Sequence, residues 1–187
     1  MLSEYDVELV LAPFELRPDM PEAGIKLAEQ AQAGHSERVE EYLIKAAARE
    51  GASMVLPDFL PNTHSAMAMA EIGRDAGDPA HKELHAAIFS AYFEAGLDIG
   101  DRGILLDIGK GQGLDPETVE EAWSTGKYDE RLSQFRKLGA TLGVESTPAV
   151  LICNELLIGA QPYQIIKKAV ERCLSKQTDI DEAHLDY

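Results

Sequence analysis

The chain has 187 residues, 45% of them hydrophobic, and sets 17 lysines and arginines against 33 aspartates and glutamates, a formal charge of -16. That is enough for one domain with a real core, and a surface so acidic repels phosphate backbones, which makes nucleic acid and anionic membrane poor partners. No apolar run approaches the roughly 20 residues that cross a bilayer, and Met1-Leu2-Ser3-Glu4-Tyr5-Asp6 has neither the basic nor the apolar stretch of a signal peptide, so the expected compartment is the cytoplasm.

Val7, Leu9 and Leu11 alternate with Asp6, Glu8 and Val10, the period of a strand, and Pro13 and Pro18 end it. A short helix is expected within 22–32, broken at Gly34 with Ser36 as N-cap of the next. That next helix carries Val39, Leu43 and Ala47 at four-residue spacing and stops at Gly51. Met54-Val55-Leu56 reads as a short extended piece before Pro57.

The middle of the chain reads as helical. One helix opens at Thr63 or Ser65, holds Met67, Ala70 and Glu71, and closes near Gly77. Asp78-Pro79 marks the next start, a capping residue followed by a proline, with Leu84, Ile88, Phe89, Tyr92 and Phe93 on a wide apolar face. Leu105, Leu106 and Ile108 suggest a short helix that breaks at Gly109-Lys110-Gly111. Asp115-Pro116 repeats the start signal ahead of Val119, Ala122 and Trp123. Leu132, Phe135, Leu138 and Leu142 share one face of a longer helix.

Ala149 to Cys153 and Leu156 to Ile158 flank Asn154-Glu155 as a hairpin would, Gly159-Ala160-Gln161-Pro162 makes a turn, and Tyr163, Ile166, Ala169, Val170 and Leu174 mark a closing helix that frays from Gln177. Strand, helices, strand, strand, helix is an α/β order, with helices laid on a small mixed sheet.

Gly143-Val144-Glu145-Ser146-Thr147-Pro148-Ala149-Val150 through Gly159-Ala160-Gln161-Pro162 resembles the C-terminal half of DsbA-like thioredoxin domains, and within them the FrnE-like dithiol-disulfide isomerases. Pro13-Phe14-Glu15-Leu16-Arg17-Pro18-Asp19, Pro61-Asn62-Thr63-His64 and the stretch from Ala91 to Asp101 are similar to further segments of that family, in the same order. The resemblance implies one thioredoxin-like domain over 1–187, with a helical insert over about 35–142 and a strand-strand-helix unit over about 147–175. It also implies a cis-proline at Pro148, with the backbone of Thr147 holding an extended substrate.

The departure from that pattern is as informative. Family members begin with a central strand leading into Cys-x-x-Cys at the head of the first helix, and neither that strand nor that pair is in these residues. Disulfide exchange needs a thiolate kept ionised by a helix N-terminus and a neighbouring thiol. Cys153 and Cys173, the only cysteines, sit in an expected strand and late in an expected helix, and read as small hydrophobes in or near the core rather than as a bonded pair. The expectation is an N-terminally truncated member of a thiol-disulfide oxidoreductase and isomerase family. It would have no catalytic residue, metal or cofactor of its own, and would be inactive as this chain, from a start assigned too late in the gene. A protein or a small thiol or disulfide is the expected substrate. The alternatives are a non-catalytic peptide-binding or homodimerising module whose sheet is completed by a second copy, and a relative of glutathione-dependent isomerases on the same fold.

Other candidates have plainer readings. His81 and His85 have the spacing of a metal pair but lack further ligands nearby, and read as surface or rim histidines. Gly109-x-Gly111-x-Gly113 lacks the pattern of a nucleotide loop. Asp98 and Asp101 read as a helix-end turn, Trp123, Met67 and Met69 as packing, and Phe89, Tyr92 and Phe93 as core or the lining of a groove.

Overall fold

Helical starts in this chain are set by small polar groups at chain reversals. In the computed structural model, which describes residues 4–27 and 37–183, Asn62 Oδ1 accepts from the backbone N–H of His64 at 3.0 Å and opens α2 (His64–Ala76). Asp101 accepts from Gly103 and Ile104 to open α4 (Arg102–Gly111), and Asp115 accepts from Thr118 to open α5 (Pro116–Thr125). Each carboxylate satisfies amides that the first turn leaves without intrahelical partners. Asp78 departs from expectation. It is the first residue of α3 (Asp78–Phe93), Gly77 occupies the cap without a side-chain bond, and the Asp78 carboxylate instead meets Lys82 one turn on.

The chain divides into two compact units, Arg17–Gln134 and the pair Met1–Leu16 with Phe135–Tyr187. In the first, β1 (Ile25–Lys26) pairs antiparallel with β2 (Phe59–Leu60), and α1 (Glu37–Arg49) lies between them in sequence. Gly24 fits beside this ladder because it has no Cβ; one there would meet the Leu60 carbonyl oxygen at 2.5 Å. The helix expected over 22–32 is therefore not formed at its start, where the backbone pairs as a strand, and the rest of that stretch and Ser36 lie outside the described residues.

Helices α2 to α5, with the first part of α6 (Asp129–Thr141), form the core of this unit. Met69, Leu84, Leu105 and Val119 are all at most 1% exposed in one cluster, and Tyr128 and Leu132 close a second beside Ala68 and Ala122. Full burial of such side chains contributes roughly 1.5–3 kcal/mol each. The Trp123 indole donates to the Ser65 carbonyl at 2.9 Å, tying α5 to the start of α2. α4 ends at Gly111, within the Gly109-Lys110-Gly111 stretch where a break is expected, but Gly109 itself is still helical. Gly109 is buried inside α4, where the Met69 sulfur would stand 3.2 Å from any Cβ, so the missing side chain serves helix packing rather than a turn.

In the second unit β3 (Ala149–Ile152) and β4 (Glu155–Ile158) form the hairpin read from the sequence, with Val150 opposite Leu157 and Ile152 opposite Glu155. α7 (Tyr163–Ala183) buries Ala169 and Val170 and runs past Gln177, where fraying was expected. The strand expected over Asp6 to Leu11 is a second correction: residues 6–15 belong to no ladder. Alternation supplies a strand with faces, but its backbone becomes a strand only against a partner edge, and among the described residues the β3–β4 sheet has two strands. The architecture is α/β with an extended helical region, α2–α6.

Candidate functional site

Gly143, at φ +80, closes α6 and lets the Val144 N–H reach back to the Gly139 carbonyl at 2.9 Å. The chain then runs through exposed Glu145, Ser146 and Thr147 to a cis bond before Pro148, also exposed. The Pro148 carbonyl accepts from Gly159 N–H at 2.8 Å, so the far end of the hairpin pins the loop. This bond and the register set the parity of β3. Val150 and Ile152 turn their backbone groups toward β4, and Ala149 and Leu151 turn theirs to the outer edge. Among the described residues no strand pairs with that edge, and the Thr147 backbone N–H and C=O make no hydrogen bond. Leu151 is 48% exposed. The loop thus leads into a row of backbone donors and acceptors suited to an extended chain.

At the other end of β3, Cys153 and Cys173 form a disulfide with their Cα atoms 6.0 Å apart. This corrects the reading of both as unbonded hydrophobes. Spacing in sequence carries no sign of the pairing, which follows from the hairpin turn and α7 meeting there. Cys153 is exposed and holds φ +51, and Cys173 is half-buried. Arg172 grips Glu155 beside them, with one guanidinium nitrogen 2.6 and 2.8 Å from the two carboxylate oxygens.

A second polar constellation lies inside the helical unit, and the sequence reading missed it. Glu71 on α2 is completely buried. Its Oε2 accepts from Arg74 at 2.8 Å and Arg131 at 3.1 Å, while Oε1 accepts no hydrogen bond among the described residues. His81 on α3, 3% exposed, holds Nε2 4.0 Å from Oε1. Burial, and then the Arg74 charge, push the His81 pKa below its ordinary value. Arg131 also reaches Asp75 at 2.9 Å, and the Tyr128 hydroxyl donates to Asp75 at 2.8 Å. Burial raises the Asp75 carboxyl, but the bonds from Arg131 and Tyr128 outweigh it and hold the group below its usual range. A carboxylate on the otherwise small, apolar face of α2 was the signal available in the sequence. The cluster ties α2, α3 and α6 together.

The remaining candidates resolve into structure. His81 is buried, not at a rim; its ring lies tilted 6.3 Å from that of His85, which packs against Phe89 at 4.3 Å. Among the described residues no three His, Cys, Asp or Glu side chains come together as a metal site. Asp98 accepts from Gly100 N–H, and Asp101 caps α4. Tyr92 donates to the Phe59 carbonyl at 3.0 Å with its ring edge-on to Phe59, while Phe89 is 50% exposed. Met69 is wholly buried and Met67 packs against the second cluster. No helix among the described residues is long and apolar enough to cross a membrane.

A family model, the DSBA-like thioredoxin domain, matches residues 1–171. Among solved structures, the chain is similar to a probable DsbA oxidoreductase from Streptomyces coelicolor, at 24% identity and a TM-score of 0.79, over 90% of this chain and 76% of that one. It is also similar to a 2-hydroxychromene-2-carboxylate isomerase, at 17% identity and a TM-score of 0.69, over 95% of this chain and 87% of the other. No curated protein matches. At these identities the structural likeness establishes a thioredoxin-like fold. The matches overturn the cytoplasmic expectation, because DsbA-type oxidoreductases are characteristically periplasmic or secreted. The residues at Met1 carry no information on compartment.

Proposed function

The chain belongs to the DSBA-like thioredoxin domain family, and from that premise we propose that these 187 residues are the substrate-engaging part of a FrnE-like member, binding an extended peptide at Thr147, Pro148 and the outer edge of β3. The family is one of thiol-disulfide oxidoreductases and isomerases. The chain carries no Cys-x-x-Cys, its cysteines standing 20 residues apart. A thioredoxin-type cycle needs a low-pKa thiolate attacking from a helix N-terminus and a resolving thiol one turn away. No such pair of thiols is present in these residues.

The observation that carries the reading is the exposed Thr147-Pro148 pair, continuous with an edge whose Ala149 and Leu151 backbone groups take no ladder partner among the described residues. Strand addition at such an edge draws affinity from the peptide backbone and selectivity from alternate side chains. The unit holding the hairpin and α7 is the thioredoxin-like part of this proposal, and the helices of residues 17–134 are its insert.

Two measurements test it. In an insulin-reduction assay the protein gives no turnover above the reductant alone, and turnover like that of an intact thioredoxin-like enzyme overturns the proposal. A fluorescein-labelled, unfolded apolar peptide gains polarisation with the protein, and Pro148→Ala or Thr147→Pro weakens that binding. Binding that both variants leave intact removes the site from the loop.

The unpaired β3 edge also supports a second reading, a homodimer in which a second copy supplies the missing strand. Light scattering on dilute protein separates the two, because a stable monomer leaves the edge open to peptides. The likeness to the isomerase supports a third, a glutathione-dependent isomerase, which calorimetric titration with glutathione tests directly.

A further inference from the structure

We propose that Cys153–Cys173 is a thiol-exchangeable disulfide, a reversible redox site at the hairpin turn whose co-reactant is a small thiol of the glutathione class. The inference does not rest on the peptide-binding reading, which uses the opposite end of β3.

Exposure sets the direction of attack. Exchange requires a thiolate to approach one sulfur in line with the other, which then leaves. Cys153 is exposed on the tip of a two-residue turn, and Cys173 is half-buried on α7. The incoming thiolate therefore bonds to Cys153 Sγ, the disulfide breaks, and Cys173 departs as a thiolate that takes a proton from water. A second thiolate attacks the outer sulfur of this mixed disulfide, expels the Cys153 thiolate and leaves as the oxidised dimer. Two electrons pass from the two small thiols to the protein. The oxidised small molecule reverses each step.

The surroundings make the pair reversible rather than merely breakable. Glu155 begins β4 directly after the turn, and Arg172 immediately precedes Cys173. Their ion pair, like the disulfide, joins the hairpin to α7, through contacts of 2.6, 2.8 and 3.2 Å. The β3–β4 ladder and the buried Ala169 and Val170 of α7 are likewise independent of the sulfur bond. After reduction these contacts keep the two Cα atoms near their 6.0 Å separation, inside the ~4.4–6.8 Å range from which a bond re-forms without moving the backbone. Cys153 also occupies the left-handed region at φ +51, where glycine or asparagine is the ordinary residue. The turn has taken a cysteine where its backbone does not favour one, and that cysteine is the reachable half of a pair.

The test uses the whole protein without denaturant, in glutathione buffers of varied ratio, with free thiols trapped by N-ethylmaleimide and counted by intact mass. The doubly alkylated species grows as the buffer becomes reducing while the far-ultraviolet circular dichroism stays constant. Oxidised glutathione then returns the protein to the closed form. A pair that stays closed until the chain unfolds overturns the proposal, as does reoxidation that stops at glutathione adducts. The order of attack has its own readout. Cys173→Ser accumulates an adduct at Cys153, whereas Cys153→Ser labels at Cys173 at least about tenfold more slowly. Equal labelling rejects the assigned order. Arg172→Met lengthens the life of the mixed disulfide, and an unchanged lifetime removes the ion pair from the account.

Discussion

Arg131, on α6, donates to Oε2 of Glu71, on α2, across 3.1 Å and sixty positions of sequence. The carboxylate it meets is fully buried, and Arg74 donates to the same oxygen. Removing one partner of a buried pair strands the other without water. Glu71→Ala should cost about 3 kcal/mol, since each guanidinium loses one acceptor and a cavity opens. Arg131 is 38% exposed, so Arg131→Ala should cost less, about 1–2 kcal/mol. Urea titrations rank the two. Near-equal midpoints for Glu71→Ala and wild type would falsify the role given to this cluster.

His81 makes the same region sensitive to acid. Its pKa in the fold lies below the ordinary 6.5, first through burial and then through Arg74, with Lys82 acting the same way and Glu71 and Asp78 opposing. His85 beside it is lowered for the same first reason. A histidine held neutral by the fold contributes stability that is fully present above the unfolded value. That stability drains as pH falls from about 6.5 through the folded pKa. Unfolding midpoints between pH 7.5 and 5 should therefore decline, and His81→Asn should flatten part of that slope. A wild-type midpoint constant over this interval contradicts the burial assigned to His81.

Two Asp-Pro pairs look alike in sequence and behave differently in the fold. Asp115 caps α5 through the Thr118 amide at 3.0 Å and hydroxyl at 2.8 Å. These bonds hold its carboxyl below the ordinary 3.8, so its contribution stands above that pH and is lost as pH falls through the folded value. Asp78 makes no capping bond and meets Lys82 on the surface. Asp115→Ala should lower the melting temperature, and Asp101→Ala, which removes the α4 cap, should cost about 1 kcal/mol. Asp78→Ala should stay within about 0.5 kcal/mol of wild type. Thermal melts that place Asp78 beside Asp101 would contradict the assignment of caps.

What could be read from the sequence was local. The helical start at Asp115, the stop at Gly51 and the hairpin of Ala149 to Ile158 follow from capping chemistry and periodicity within a few residues, whereas the start expected at Thr63 is capped by Asn62, one residue earlier. What could not be read depends on distant partners. Ile25–Lys26 becomes a strand only because Phe59–Leu60 arrives beside it, and Val7, Leu9 and Leu11 fail to become one although their alternation is better. The Cys153–Cys173 bond and the burial of Glu71 likewise depend on where α7, α3 and α6 return. At the candidate site, Thr147 and Pro148 stood out only through family resemblance; the spacing of polar residues gave no hint of them.

Glycine positions test the helix packing. A Cβ on Gly73 would lie 3.1 Å from the His81 Cα, 3.2 Å from the Ala80 carbonyl oxygen and 3.2 Å from the Leu84 side chain. Two of these are backbone atoms that cannot turn aside. Alanine improves helix propensity by about 1 kcal/mol but must separate α2 from α3, a strain of about 1–3 kcal/mol, so Gly73→Ala should be a net loss of about 1 kcal/mol. Gly111, at the end of α4, has open space around it. Gly111→Ala should gain about 0.5 kcal/mol. Opposite signs in denaturant melts are the expected result, and a stabilising Gly73→Ala contradicts the close approach of α2 and α3.

The parity of β3 gives a prediction specific to the proposed peptide edge. Proline lacks an N–H, so its effect on a strand depends on which way the replaced N–H points. The Val150 N–H faces β4, where the residue lies opposite Leu157, and Val150→Pro removes a ladder bond and should unfold the hairpin. The Leu151 N–H faces outward, where no strand pairs among the described residues. Leu151→Pro should therefore keep the circular dichroism of the folded chain while losing most of the labelled-peptide binding, because it removes a donor that only an added strand would use. Peptide binding that survives Leu151→Pro in a folded protein places the peptide elsewhere. Unfolding by Leu151→Pro as complete as that by Val150→Pro shows instead that the outer edge already has a partner.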